Sequence, residues 1–345
     1  MLIGFNSRRS SRKLNRAAAE IQQLETRALL AGNVLASINN SATVSIKGDN
    51  AANDITVAVD AGGMVTITGN NGTTINGNPD ATFDPADLKN LRIDLRGGAD
   101  KLTVEVNADT TVSGYVRINT GTGKDVVSVV TTSQLTVSKG LSINLGSGDD
   151  ALSIQGAAGL SLGEAMKING GSGNDAIAVV NEQQATGLTT AQRKKVDVSV
   201  NGGAGDDQIA LDDLDVGHNL TVSGGGGNDK MAIGGTTATS VAGSARIRGG
   251  DGKDTLSVSG SVTIDKRLAL NLGAGADDLV VVDGATIRVT GNAKVKGGPG
   301  TDNGPDPATI ATDFGGSAKV TGFEGTDPMA DDLAAILAVV NGLIA

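Results

Sequence analysis

The stretch Gly170-Gly171-Ser172-Gly173-Asn174-Asp175-Ala176-Ile177-Ala178 has the form G-G-x-G-x-D-x-U-x, where U is a large apolar residue. Its sixth-position aspartate returns at Asp100, Asp125, Asp150, Asp175, Asp207, Asp229, Asp254, Asp277 and Asp302, in steps of 25, 25, 25, 32, 22, 25, 23 and 25 residues. Glycine holds the fourth position in every copy, and the second in all but the first, which has Arg96. A period of this size marks a stack of like units, each too small to bury its apolar face alone, so the chain is expected to be a solenoid.

One coil can be read residue by residue. Leu141, Ile143 and Leu145 alternate with polar residues, the pattern of a strand with one buried face. Gly146-Ser147-Gly148-Asp149 then turns the chain, and Leu152 and Ile154 form a second short alternating run. Leu160 and Leu162 lead through a three-residue corner to Met166 and Ile168. The same corner recurs at Val112/Val116/Ile118, Val216/Leu220/Val222 and Ile264/Leu268/Leu270, among others. Each coil therefore holds about three short strands, and coils should stack at roughly 4.8 Å with equivalent strands parallel. Composition agrees: 51 Gly, four Phe, one Tyr and no Trp suit a thin core of Val, Ile and Leu with no room for rings. The expected fold is all-β, a right-handed parallel β-solenoid (β-helix- or β-roll-like) of about ten coils, the hand following the rule for parallel crossovers.

The chain divides into three parts. Residues 1–40 form a basic segment with Arg8, Arg9, Arg12, Lys13, Arg16 and Arg27, read as a targeting element. Within it Ser7-Arg8-Arg9-Ser10 resembles a twin-arginine export signal, although no long apolar stretch follows. Residues 41–326 form the solenoid, with Asn53-Asp54-Ile55-Thr56-Val57 as a degenerate first copy of the motif. Ala61-Gly62-Gly63 reads as a hairpin turn between Val57/Val59 and Val65/Ile67, and residues 70–90, with Pro79 and Pro85, as an irregular loop. The 32-residue step places an insertion within Asn181–Lys195, usually a neutral surface bulge. Residues 327–345 start with an N-cap pair, Asp327-Pro328, and continue with Leu333, Ile336, Leu337, Val340 and Leu343 at helical spacing. This segment is expected to be a C-terminal capping helix over the last open coil.

Charge and composition narrow the function. A net charge of −10 argues against nucleic acid as a partner, and no run of eighteen apolar residues is present to span a membrane. The absence of cysteine removes disulfides and thiolate metal sites. The one histidine, His218, falls in a three-residue corner and should be exposed, so a Ser-His nucleophile system is not expected. The chain is read as not an enzyme. A polysaccharide-acting β-helix is the enzymatic alternative, and a metal-free structural or recognition solenoid is a further one.

Stacking puts nine carboxylates in one column. At ~4.8 Å, repulsion between neighbours is about 1–3 kcal/mol for effective dielectrics of ~80 to ~20. Such a column must be protonated, solvated outward or neutralised. A hard divalent cation would neutralise it, with glycine-rich turns leaving carbonyls free as ligands. The alternative is that the aspartates hydrogen-bond turn amides with no ion present. Lys101, Lys124 and Lys253 stand beside the column and could neutralise part of it.

Five copies, those ending at Asp175, Asp207, Asp229, Asp254 and Asp302, match G-G-x-G-x-D in full. Over residues 95–303 the chain resembles the RTX, or haemolysin-type, calcium-binding repeat proteins. The resemblance implies Ca2+ held by Asp100, Asp125, Asp150, Asp175, Asp207, Asp229, Asp254, Asp277 and Asp302, with backbone oxygens of turns such as 170–174 and 202–206. The period of about 25 differs from the RTX roll, whose motifs alternate between two edges; here they should fall on one. The run Leu24-Glu25-Thr26-Arg27-Ala28-Leu29-Leu30 resembles the LEPR-XLL segment of planctomycete extracellular proteins, with Thr26 where that family has Pro. Together the resemblances imply a secreted or cell-surface calcium-binding structural or adhesive protein. Its expected partners are calcium ions and a cell-surface polymer or envelope component.

Overall fold

Alternation builds each coil from strands whose inward residues are branched aliphatics and whose outward ones are small or polar. In the computed structural model the described residues are 32–60, 63–84, 88–156, 159–180, 196–235, 238–282, 284–304, 317–323 and 325–326. The chain separates into compact units Met1–Leu30 and Ala31–Ala345, and every described residue belongs to the second. Most of the basic N-terminal segment, the 181–195 insertion and the helix expected over 328–343 lie outside the described residues.

The described residues are all-β: a parallel β-solenoid of about 8 turns with roughly 25 residues per coil. Two 13-stranded sheets run its length and hold the two sides of the motif corner. The first contains Val116–Thr122, Gly140–Ser147 and Ala165–Ser172; the second contains Val126–Thr131, Ala151–Gln155 and Ala176–Val180. A third face is split into a three-stranded and a four-stranded sheet. The break falls between strands Leu160–Leu162 and Asp215–Val216. Register is strict, with Ile118 beside Ile143 and Ile143 beside Ile168, so like residues stack on like.

The core is a continuous stripe of such residues, Leu102, Val127, Leu152, Ile177, Ile209, Met231 and Leu256 forming one row of it. The second sheet departs from simple alternation. Ser153, Ala178, Ala210, Ala232 and Ser257, on its opposite face, are buried as well.

The N-terminal end differs from the reading of the sequence in three ways, of which the second, closure by hairpins, helps bring the coil number down from about ten to about 8. Strand Asn33–Ile38 already belongs to the first sheet, so the solenoid begins before residue 41. It pairs antiparallel with Thr43–Lys47, and Asp54–Val59 pairs antiparallel with Val65–Gly69, so this end is closed by hairpins rather than full turns. The second hairpin is the one expected around residues 61–63. Residues 70–90 are not an irregular loop throughout: Thr74–Ile75 and Asp80–Phe83 are the outermost strands of the two sheets. Pro79 lies just outside a strand at an edge, where a missing amide costs no ladder bond.

Candidate functional site: an internal aspartate column

The sixth-position aspartate follows a corner whose second- and fourth-position glycines have positive φ, for example Gly171 at 121° and Gly173 at 117°. That path turns the next carboxyl inward. All nine predicted aspartates come together in one column on a single edge, as the period of 25 demands. They are not solvated outward: each is between 0 and 2% exposed.

Each carboxylate reaches one coil back. The Asp100 amide donates to Asp125 Oδ1 at 2.8 Å, that of Asp125 to Asp150 at 2.8 Å, and that of Asp150 to Asp175 at 2.9 Å. The chain of bonds continues through Asp207, Asp229, Asp254 and Asp277 to Asp302, each between 2.8 and 3.0 Å. Asn53 occupies the same position in the degenerate first copy, its amide donating to Asp100 Oδ1 at 2.7 Å. This is the amide-bonding role that the sequence left open beside the ionic one, although the amide belongs to the neighbouring coil rather than to the aspartate's own turn.

A second ladder, which the sequence reading missed, flanks the first and runs the other way. Fifth-position amides donate to the fifth-position side chain one coil back: Asn174 to Asp149, Asp206 to Asn174, Asn228 to Asp206 and Lys253 to Asn228. Its signal was the Asp or Asn at that position in several copies. These side chains are exposed, so their charges are solvated.

One oxygen per coil is left over. Oδ2 of all nine column aspartates is buried and has no hydrogen-bond partner. The space it faces is made by the first motif residue. A β-carbon on Gly170 would collide with both Asp175 Oδ2 and the Gly202 carbonyl oxygen, and one on Gly249 with Asp254 Oδ2 and the Leu272 carbonyl. Thr120 stands there in one coil. Its hydroxyl lies 2.6 Å from the Leu145 carbonyl and beside the Asp125 carboxyl, so its one proton can serve either; turned to the carboxyl, it offsets part of what burial costs.

Burial dominates the electrostatics. It raises Asp100, Asp150, Asp175, Asp207 and Asp254 to about 7 and Asp229 to about 6, against the amide bonds that favour the charge. Neighbouring carboxylates add to the rise. Asp125 and Asp277 are raised for the same first reason. Of the lysines thought to stand beside the column, Lys253 instead pairs with Asp278 at 3.3 Å. His218 is partly exposed and bonds Asp197 through Nδ1 at 2.8 Å, away from the column.

The donors are all oxygen, which suits a hard cation in kind. In number they are sparse. The Ser172 and Ala204 turn carbonyls accept amides of Gly148 and Gly173, and each carboxylate has one oxygen committed to the ladder. Among the described residues no three His, Cys, Asp or Glu form a group that could hold a metal ion. An ion here would draw on Oδ2, on first-position carbonyls of the adjoining coil and on water.

Fold and site define a parallel β-solenoid with a buried aspartate spine. No family model, curated protein or solved structure matches the chain.

Proposed function

We propose that this chain is a structural or adhesive repeat module of the cell exterior, secreted or held at the surface, whose aspartate column takes up calcium. The observation that carries the reading is the row of nine buried carboxyl oxygens without partners. A buried acceptor left unpaired costs about 1–3 kcal/mol, and more when charged, so a column of them calls for compensation. The resemblance of the corner to RTX repeats supplies calcium as the counter-ion, and that of Leu24–Leu30 to the LEPR-XLL segment supplies the location. Among the described residues the corners are short and regular and serve stacking, which supports a non-enzymatic role.

Thr120 favours a second reading. Its hydroxyl places a neutral donor beside the carboxyl and against the next carbonyl, as a proton on Oδ2 would in the other coils. In that reading the column is a protonated, metal-free spine.

Melting curves of metal-stripped protein separate the two. A carboxyl whose folded pKa is raised binds its proton more tightly folded than unfolded. Its stabilisation is full below the ordinary aspartate value of 3.8 and is lost as pH rises through about 7. The metal-free protein is therefore expected to melt lower at pH 8 than at pH 5, opposite to ordinary acid denaturation. Millimolar calcium at pH 8, but not the same concentration of magnesium, should restore the loss. A melting point at pH 8 that ignores calcium would refute the calcium column and leave the proton-bonded spine.

A further inference from the structure

The outward face of the first sheet has a charge opposite to that of the chain. One registered column on it carries Arg92, Arg117, Lys167, Arg246, Lys294 and Lys319 and no acid. The parallel column two residues on adds Lys47, Arg248 and Lys296, with Asp94 as its one acid. All nine cations are exposed. The whole chain is at −10, so this concentration on one face is not a consequence of composition.

The cations are densest toward the C-terminal coils. Arg246 and Arg248 project from one strand and Lys294 and Lys296 from the next but one. Between them the strand Leu268–Ala274 offers the short side chains of Ala269 and Asn271, which leaves a shallow groove walled by the four cations. A second groove, with Arg267 on its wall, adjoins it through Arg246 and Ala269. None of these five cations forms an ion pair with a described residue.

We propose that this face binds an acidic polysaccharide, a glycan bearing carboxylate or sulfate groups, laid along the solenoid axis. The track from Arg92 to Lys319 crosses nine coil steps of ~4.8 Å, so it is roughly 40 Å long, suited to an extended linear chain. Between the cations its column holds Ser142, Ser199 and Thr221, and the neighbouring column Asn144, Asn169 and Asn201. Serine and threonine hydroxyls and asparagine amides are of the kind that bonds sugar hydroxyls, so the cations are interspersed with neutral polar groups suited to the uncharged parts of such a polymer; the asparagines also bond one another from coil to coil.

Nucleic acid fits less well. Single strands bind through basic grooves with aromatic platforms for the bases. Among the described residues the aromatic on this face is Tyr115, and its ring is covered by Arg117 at 4.7 Å and Lys139 at 5.1 Å. The exposed carboxylates of Asp149, Asp206 and Asp251 border the face at the motif corner and repel a wide, densely charged duplex.

Neighbouring coils supply substitutions that the fold already tolerates. Register places Thr221 beside Arg246, Ser223 beside Arg248, Ala269 beside Lys294 and Asn271 beside Lys296. The variant R246T/R248S/K294A/K296N is thus expected to melt like the wild type. Binding of full-length protein to immobilised heparin and to alginate would be measured in EGTA, so that calcium bridging plays no part, with neutral dextran and duplex DNA alongside. Wild-type protein should bind heparin or alginate, lose binding as salt rises, and ignore dextran. The quadruple variant should bind roughly tenfold or more weakly, as expected when four phosphate-like contacts are lost. Absence of binding to both glycans, or equal binding by the variant, would overturn the proposal. Tighter binding to DNA than to either glycan would overturn its choice of partner.

Discussion

Alanine at Gly225 is expected to destabilise the protein severely, while alanine at the adjoining Gly226 leaves it unchanged or slightly more stable. Gly225 has φ of 130°, and a β-carbon on it would lie 1.9 Å from the Gly203 carbonyl oxygen of the coil beneath. Backbone strain in that region alone costs about 1–3 kcal/mol. The collision adds to it, because the obstructing atom is backbone and can yield only if two coils part. Gly226 would meet nothing within 4 Å. In register with it stand Ala204 on one side and Asp251 on the other, so this corner position accepts side chains. Replacing glycine where the backbone permits it stabilises by roughly 0.4–1 kcal/mol through the unfolded chain. Urea or thermal melts of the two variants would check the contrast. Equal melting of G225A and G226A would mean that the corners do not bear on one another as described.

The second large effect concerns the column. Asp175→Ala removes the acceptor of the Asp150 amide, a bond of 2.9 Å, and leaves that amide buried without a partner. An orphaned buried donor costs about 1–3 kcal/mol, to which the emptied space adds. Asp175→Asn should behave differently. Its carbonyl oxygen can keep the bond to Asp150, and its amide nitrogen takes the place of Oδ2, against the Gly202 carbonyl. Asn53 already fills this position in the first copy, with its amide nitrogen donating to the Ala51 carbonyl at 2.8 Å. D175N is therefore expected to match or exceed wild-type stability at pH 8 in EGTA and to show a shallower loss between pH 5 and 8, while D175A melts lower throughout. Should D175N fall as far as D175A without metal, the oxygen at Oδ2 would have a role that neither proton nor ion compensation explains.

Much of this could be read from residue order. The step of 25 required stacked coils and one edge for the motif, and the alternation of Leu141, Ile143 and Leu145 required a strand with an aliphatic inner face. Even the degenerate copy at Asn53 was visible, and it sits in register with Asp100. An irregular loop over 70–90 is what Pro79 suggests when read as a breaker. At a sheet edge it breaks nothing, and edges are not marked in a sequence.

Repetition is a property of sequence, so the solenoid, its parallel register and the single column of carboxylates were determined by the chain alone. Tertiary structure decided which way those carboxylates point and what they touch. Asp149 and Asp150 are adjacent, chemically identical residues, yet one is exposed in the outer ladder and the other buried in the inner one. The difference arises from the positive-φ glycines around them, which turn alternate side chains to opposite sides of the corner only once a coil lies above and below. Likewise Arg246 and Lys294 are 48 positions apart and form one wall-and-groove surface only because two coils of stacking bring their strands to either side of Ala269.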